Sequence, residues 1–291
     1  MGQTRPALGI AFAAALLNCV LDPPFLRLWG IAGAAYATNL AAALATLASV
    51  AELRRRGVAV CWRIAAPLKA FAKITRIGAP VASSGALFSL VYVALARTLA
   101  SLDGGAGLAA LGLGHRIEAV AFLVCEGFAV GTATVVGQWL GAARATGDAS
   151  FRGAARKSAA DAARMSAAAM VPVACLTWFL AEPAARVFTN DAVVVAATAS
   201  YLRIVALCFP ALAVEAVYDG ALTGAQHTLP TFLVGLLFNS MRIPLARLLV
   251  PRYGVAGVWA AISLSTMLKA PAKYLCFRSL FEKGALGEKR A

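Results

Sequence analysis

The stretch WGIAGAAYAT at residues 29–38 decides the fold, because it returns near the C-terminus as YGVAGVWAAI at residues 253–262. Each copy has an aromatic residue, then Gly-x-Ala-Gly, then an apolar run that is rich in small residues and long enough to cross a bilayer. The residues before the copies also correspond loosely, with Asn18 ahead of the first and Asn239 ahead of the second. A recurring helix pair is typical of membrane proteins built from duplicated halves, an architecture common among transporters.

The two copies are unequally placed along the chain. The second copy ends a long series of apolar segments, whereas a single such segment precedes the first. We therefore expect a two-half protein in which the front of the first half is missing.

Composition indicates a membrane protein rather than a soluble domain. Hydrophobic residues make up 61% of the chain and charged residues 14%, and the mean hydropathy is +0.77. The net charge of +14 does not indicate a nucleic-acid partner, because the basic residues lie in joints between apolar runs rather than along one face. Three joints hold most of them: Arg54, Arg55, Arg56, Arg63, Lys69, Lys73 and Arg76; Arg144, Arg152, Arg156, Lys157 and Arg164; Lys269, Lys273, Arg278, Lys283, Lys289 and Arg290.

Eight segments have the length and apolarity of membrane-spanning helices, and prolines such as Pro172 and Pro210 predict kinks within them. The predicted spans are 7–26, 29–51, 77–100, 116–140, 159–181, 196–221, 229–250 and 255–277. With eight spans, all three basic joints fall on one side of the bilayer, which predicts that both termini are cytoplasmic and favours the plasma (inner) membrane. Most of the remaining arginines lie within or near span ends, where their side chains can reach the interface.

Several motifs resemble the multidrug and toxic compound extrusion (MATE) transporters of the twelve-helix, two-lobe kind. RIGAP at 76–80 resembles the start of the seventh helix of that family, and RIE at 116–118 with VVGQWLGA at 135–142 resembles the eighth helix. DGALTGA at 219–225 is similar to the end of the tenth helix, and NCVLDP at 18–23 with the first Gly-x-Ala-Gly copy is similar to helices five and six. The resemblance covers essentially the whole chain.

This resemblance implies an all-α, polytopic membrane helix bundle with a complete six-helix C-terminal lobe and part of the N-terminal lobe. Residues 1–52 would be the last two helices of the N-terminal lobe, 53–76 a basic cytoplasmic connector, 77–280 the C-terminal lobe, and 281–291 a cytoplasmic tail. The first four helices of the family pattern are not matched, as expected of an incomplete gene model or a truncated paralogue. Residues 77–102 contain no acid, unlike the Na⁺-coupled branch, so the resemblance is closer to the DinF-like branch.

Three acidic residues inside predicted spans are candidates for transport and ion coupling, because an ionisable group in a membrane is costly to bury. Glu215 and Asp219 are one helical turn apart, and two close carboxylates suit the binding and release of a cation or proton. Solvation at the helix end, or contact with basic loop residues, is the alternative. Glu126 is near the middle of its span among small and polar residues, and its alternative is a structural pairing with Arg97 or Arg116.

The other polar residues of the spans suggest structural roles. Glu118 is expected to pair with a neighbouring arginine, and Asp22 to belong to a turn, with Pro23 and Pro24, that ends the first span. Arg97, Arg116, Asn18 and Gln138 complete this structural set. Gly220-x3-Gly224 predicts close helix packing. Neither a metal site nor a cofactor is expected.

The resemblance implies a secondary active transporter, not an enzyme, that exports cationic or amphipathic small molecules in exchange for H⁺ or Na⁺. Its partners would be the lipid bilayer and the exported molecule, without nucleic acid. A lipid-linked saccharide exporter of the same superfamily would need a basic cavity. A membrane partner protein without transport activity is a further alternative. An intramembrane enzyme would need paired acidic metal motifs or a nucleophile with its base, and the chain offers too little of either.

Overall fold

The fold is all helical in a computed structural model that describes residues 5–58, 68–102 and 104–282. The predicted all-α fold is therefore confirmed. The chain divides into two compact units after Leu68, inside the predicted connector 53–76. Residues 59–67 of that connector, with Arg63, and residues 283–291 of the predicted tail, with Lys283, Lys289 and Arg290, lie outside the described residues.

The first unit is a hairpin of two helices, α1 (Arg5–Trp29) and α2 (Ile31–Arg55). Pro23 and Pro24 lie inside α1, so the predicted turn at Asp22 is wrong: the helix continues for five residues beyond Pro24. Within a bilayer there is no water to donate hydrogen bonds to the carbonyl groups freed by proline, and the helix remains the best arrangement for the rest of the backbone.

The two copies of the repeated motif form the same local structure. Gly30 has φ +58° between α1 and α2, and Gly254 has φ +55° between α10 (Arg242–Tyr253) and α11 (Val255–Glu282). Glycine is suited to this left-handed conformation because it has no Cβ. The second glycine of each motif lies against the preceding helix, since a Cβ on Gly33 would be 1.9 Å from the carbonyl oxygen of Phe25, and one on Gly257 would be 2.7 Å from the carbonyl carbon of Leu249. The motif thus encodes a tightly packed helix pair twice.

The second unit is a bundle that continues with seven further helices before α10 and α11. These are α3 (Leu68–Ala100), α4 (Ala106–Thr146), α5 (Ser150–Phe179), α6 (Ala181–Arg186), α7 (Ala192–Ala206), α8 (Phe209–Gly224) and α9 (Thr228–Ser240). The start of α7 is fixed by Asp191, whose side chain accepts hydrogen bonds from the backbone N–H groups of Val193 and Val194.

Seven helices or helix runs of the described chain are long and apolar enough to span a membrane, and α7 with α8 makes an eighth if the pair is counted as one span. That pair corresponds to the predicted span 196–221, and the two helices meet at an angle of 57°. Pro210 lies in the first turn of α8, where its missing N–H group leaves no hydrogen bond unmade. The proline therefore marks a break in the span rather than a kink in one helix.

Helix α8 packs closely against α4 at the predicted glycine pair. A Cβ on Gly220 would be 2.1 Å from the carbonyl oxygen of Ala129, and one on Gly224 would be 2.2 Å from that of Ala133. The backbones can approach this far only because both side chains are hydrogen atoms. The close approach brings the acidic residues of α8 beside α4 and sets one wall of the cavity described next.

Candidate functional site

The second unit encloses a cavity of about 470 Å³ between α3, α4, α8, α9, α10 and α11. Apolar and aromatic side chains form much of its wall, among them Phe88, Tyr92 and Phe122. Charged residues of both signs also line it: Glu118, Glu126, Glu215, Asp219, Arg242, Lys269 and Lys273. The structure therefore brings the three predicted coupling candidates, Glu126, Glu215 and Asp219, to a single cavity.

Two lysines of α11 pair with two acids of α8. The Nζ atom of Lys269 is 2.8 Å from Oε1 of Glu215, and Nζ of Lys273 is 3.5 Å from the same oxygen. Lys273 also forms an ion pair with Asp219. The two acids are one turn apart on α8 and the two lysines are one turn apart on α11, so each lysine lies opposite an acid.

These ion pairs correct the position expected for the two lysines. The sequence grouped Lys269 and Lys273 with exposed residues of a cytoplasmic joint, but they are 6% and 3% exposed. An amide adds to the cluster, because Asn239 on α9 accepts a hydrogen bond from Lys269 at 3.2 Å. A buried ammonium group requires such partners, since its transfer from water is costly.

Each carboxylate of the cluster forms an ion pair with a lysine but keeps one oxygen that accepts no hydrogen bond from the described residues. Glu215 is buried, so solvation at a helix end is excluded for it, whereas a third of the Asp219 side chain is exposed. Oε2 of Glu215 and Oδ1 of Asp219 are buried and accept no hydrogen bond from the described residues. Each acid thus keeps one oxygen that can accept a proton or a donor group.

Arg242 reaches the same cavity from the first turn of α10. Its Nε donates to Oγ of Ser265 at 2.9 Å, and its terminal nitrogens donate to Oγ1 of Thr266 at 3.1 Å and to the hydroxyl of Tyr92 at 3.4 Å. At 3% exposure the side chain is buried, so it does not extend to the interface as the sequence suggests for arginines near span ends. The three partners are neutral, and no carboxylate lies within ion-pair distance of Arg242 in the described chain.

Glu118 is buried against the cavity, but its partner is a tyrosine rather than the expected arginine. Its Oε2 accepts a hydrogen bond from the hydroxyl of Tyr201 at 2.5 Å. The ring of Tyr201 packs so closely on α4 that a Cβ on Gly114 would be 2.2 Å from it, and its other side meets the ring of Trp259. This contact links α4, α7 and α11.

Glu126 differs from the other cavity acids because its side chain is exposed. No ion pair joins it to Arg97 or Arg116 among the described residues, and both arginines are exposed away from the cavity. The structure therefore does not support the alternative role of Glu126, an ion pair with Arg97 or Arg116.

The remaining predicted polar residues lie elsewhere. Gln138 is exposed on α4 and does not line the cavity. Asn18 and Asp22 are one turn apart on α1, and Oδ1 of each is buried without a hydrogen-bond partner from the described residues. No group of three or more His, Cys, Asp or Glu side chains in the described ranges is arranged to hold a metal ion.

The sequence did not predict three cations of the cavity wall: Arg242, Lys269 and Lys273. A signal for two of them was present, because Lys269 and Lys273 fall inside the predicted span 255–277 with the same four-residue spacing as Glu215 and Asp219. Lysines inside a span are costly unless they are paired, and this spacing indicates the partners. Arg242 also lies inside a predicted span, 229–250, where an arginine is costly, but no acid at a matching spacing indicated its partners.

The fold and its cavity define a polytopic helical membrane protein with a charged central site. The MatE family model matches residues 80–248, which is more than half of the chain, so the chain belongs to the MATE family. This is a family of transporters rather than enzymes.

Two curated relatives are each 25% identical to this chain over the aligned residues. One is the "Probable multidrug resistance protein NorM" of Thermotoga maritima, aligned over 210 residues that cover 71% of this chain and 44% of the relative. The other is the "FAD transporter" of Shewanella oneidensis, aligned over 97% of this chain and 63% of the relative. The chain thus spans less than two thirds of the length of either relative.

Solved transporter structures have the same fold. A MOP superfamily transporter from Pyrococcus furiosus, whose report describes a binding pocket of reverse polarity, superposes with a TM-score of 0.86 at 22% identity. That match covers 99% of this chain and 64% of the other. The Vibrio cholerae MATE transporter VcmN in its bent form also gives a TM-score of 0.86, at 21% identity, with 99% of this chain and 65% of the other covered.

Proposed function

We propose that this chain is part of an exporter that moves cationic or amphipathic small molecules across the plasma (inner) membrane in exchange for H⁺ or Na⁺. In this proposal residues 77–280 form the C-terminal lobe, residues 1–52 contribute to the N-terminal lobe, and both termini are cytoplasmic. Membership of the MATE family and the mixed apolar and charged cavity support it. Alternating access of the cavity to the two sides would carry the substrate across.

The observation that carries the proposal is the position of Lys273 between Glu215 and Asp219. Protonation of either carboxylate would release the ammonium group from one partner and change the charge of the cavity wall by one unit. Such a change alters the balance between two arrangements of the bundle, which is what ion coupling requires. The DinF-like assignment predicts that H⁺ rather than Na⁺ is the coupling ion.

Transport in inside-out membrane vesicles, from cells that express the exporter of which this chain is part, tests the proposal. An imposed pH gradient should drive uptake of a fluorescent amphipathic cation such as ethidium, and a protonophore should abolish it. Asp219→Asn should impair this uptake, while Glu182→Gln, which alters an exposed ion pair on α6, should not. Absence of uptake under both H⁺ and Na⁺ gradients would contradict the proposed activity.

A second substrate class has a specific observation in its favour. Export of an anionic compound, whether a lipid-linked saccharide or a molecule like that named for the Shewanella oneidensis relative, requires cations in the cavity. Arg242, Lys269 and Lys273 supply them, although the two lysines are paired with acids. Flavin nucleotides in the same vesicle assay would distinguish this class from cations.

A further inference from the structure

We propose that Arg242 is an anion-recognition residue, which binds the carboxylate or phosphate of an amphipathic small molecule in the cavity. The inference rests on the proposed transport function and favours its second substrate class, the anionic compounds. Lys269 and Lys273 form ion pairs with acids of the protein, so Arg242 is the cavity cation that can bind an anionic ligand.

The pairing of the charged groups on the cavity wall supports this assignment. Lys269 and Lys273 form ion pairs with Glu215 and Asp219, whereas Arg242 donates hydrogen bonds only to hydroxyl groups and lies against two aromatic rings. A buried cation without an acidic partner is costly in a membrane-spanning bundle. An anionic ligand would supply the missing charge at the point where the arginine meets the cavity.

The guanidinium group is held in place before any ligand arrives. The hydroxyls of Ser265 and Thr266 donate their own protons to the carbonyl oxygen of Ile262, at 2.8 and 3.0 Å, so that their lone pairs face Arg242. The rings of Phe88 and Tyr92 lie 5.8 and 5.6 Å from the central carbon of the guanidinium group. Cation–π contact and three hydrogen bonds together fix its plane.

Two N–H groups of this fixed fork remain for a ligand. A guanidinium group has five N–H donors, of which three are used by Ser265, Thr266 and Tyr92. The geometry of an arginine fork matches two oxygens of a carboxylate or phosphate. The aromatic side chains on the cavity wall, Phe88 and Tyr92, would meanwhile contact the apolar part of the same molecule.

Glu118 also lines this cavity, but its carboxylate is not an ion-pair partner of Arg242. It accepts the hydrogen bond from Tyr201 instead. The negative charge of Glu118 repels anions elsewhere in the cavity. Ligands with one compact anionic group at the guanidinium should therefore bind better than ligands whose negative charge is spread out.

Equilibrium binding of two flavins to the purified chain in lipid nanodiscs tests the inference. Riboflavin and flavin mononucleotide share a soluble fluorescent ring and differ by one phosphate, so fluorescence anisotropy compares them directly. Flavin mononucleotide should bind at least about tenfold more tightly than riboflavin, as expected for one charge-assisted contact. Inorganic phosphate should compete with the mononucleotide but not with riboflavin.

Variants identify the residue responsible. Arg242→Gln should reduce mononucleotide affinity to that of riboflavin and leave riboflavin binding unchanged, and Arg242→Lys should keep part of the preference. Arg203→Gln, an exposed arginine on α7, is the matched control and should keep all of it. Equal binding of the two flavins by the unaltered chain, absence of binding by both, or an equal loss of both in Arg242→Gln would overturn the inference.

Binding without an ion gradient does not depend on coupled transport. A flavin preference with no uptake in vesicles would refute the proposed transport activity and leave the anion site intact. Should Arg242→Gln fail to fold, Arg242→Lys decides the question: a mononucleotide preference reduced in that variant supports the inference, and an unchanged preference overturns it.

Discussion

The ammonium group of Lys269 lies 2.8 Å from a carboxylate oxygen of Glu215, and both side chains are buried within helices that are apolar enough to span a bilayer. Glu215 is therefore not an open cation site, because the protein supplies its own cation. The same holds for Asp219 and Lys273, so the coupling candidates of α8 act together with α11.

Glu215 and Lys269 should stabilise the fold only when both side chains are present. Glu215→Gln leaves the lysine with a weaker partner and should lower the free energy of unfolding by about 3 kcal/mol. Adding Lys269→Met removes the unpaired charge, so the double variant should be less destabilised than the sum of the two single variants. Thermal unfolding of the purified protein in detergent measures both effects.

An exposed ion pair is the control for this experiment. Glu182 and Arg186 are 2.7 Å apart at the surface, and Glu182→Gln should change stability by less than about 1 kcal/mol. Equal effects at Glu215 and Glu182 would show that burial does not strengthen the α8–α11 pair.

Glu126 should matter for transport and not for stability. Its exposed side chain lines the cavity without an ion pair, so Glu126→Gln leaves no buried charge unbalanced. We expect vesicle transport to fall while the unfolding temperature stays unchanged. Asp219→Asn is the comparison, and it should reduce both, because it removes a partner of buried Lys273. Unimpaired transport in Glu126→Gln would remove Glu126 from the mechanism.

The close approach of α8 and α4 should depend on two glycines. Gly220→Ala and Gly224→Ala each place a Cβ about 2 Å from a carbonyl oxygen of α4, a contact that forces the helices apart. Each should cost about 1–3 kcal/mol, as overpacking does in protein cores. Thermal unfolding in detergent measures the loss.

A third glycine provides the matched control for helix packing. Gly131 is on α4, and a Cβ there meets nothing within 4 Å, so Gly131→Ala should leave stability unchanged or slightly higher. A destabilisation as large as that of Gly220→Ala would mean that glycine flexibility, and not close packing, determines the effect.

Membrane topology can be read from single cysteines in a cysteine-free background. Arg55 and Arg156 belong to two of the three predicted cytoplasmic joints, and both are exposed. Cysteines at these positions should react with an impermeant thiol reagent only in inside-out vesicles, whereas one at Arg186 should react only in intact cells. The opposite accessibility at any of these positions would change the number of spans.

The sequence by itself determined the fold class, the approximate helix positions and the family. These follow from local properties. Apolar runs match the thickness of the bilayer in length, Gly30 and Gly254 adopt backbone conformations that other residues resist, and Gly33 and Gly257 permit close helix packing. Family membership followed from short motifs, whose residues are adjacent in the chain. At Pro210 the sequence predicted a kink within the span 196–221, and the structure has a break between two helices there.

The tertiary structure alone decided the charge partners within the cavity. Glu118 was expected beside an arginine and lies beside Tyr201, which is 83 positions away, and Arg242 joins Tyr92 across 150 positions. Hydropathy and spacing place a residue on a helix but do not determine which helix faces it. The energy of a buried charge depends on that neighbour, since an unpaired ion in a low-dielectric interior is costly and a paired one is tolerated. The anion site proposed at Arg242 could therefore be recognised only after α3, α10 and α11 were packed together.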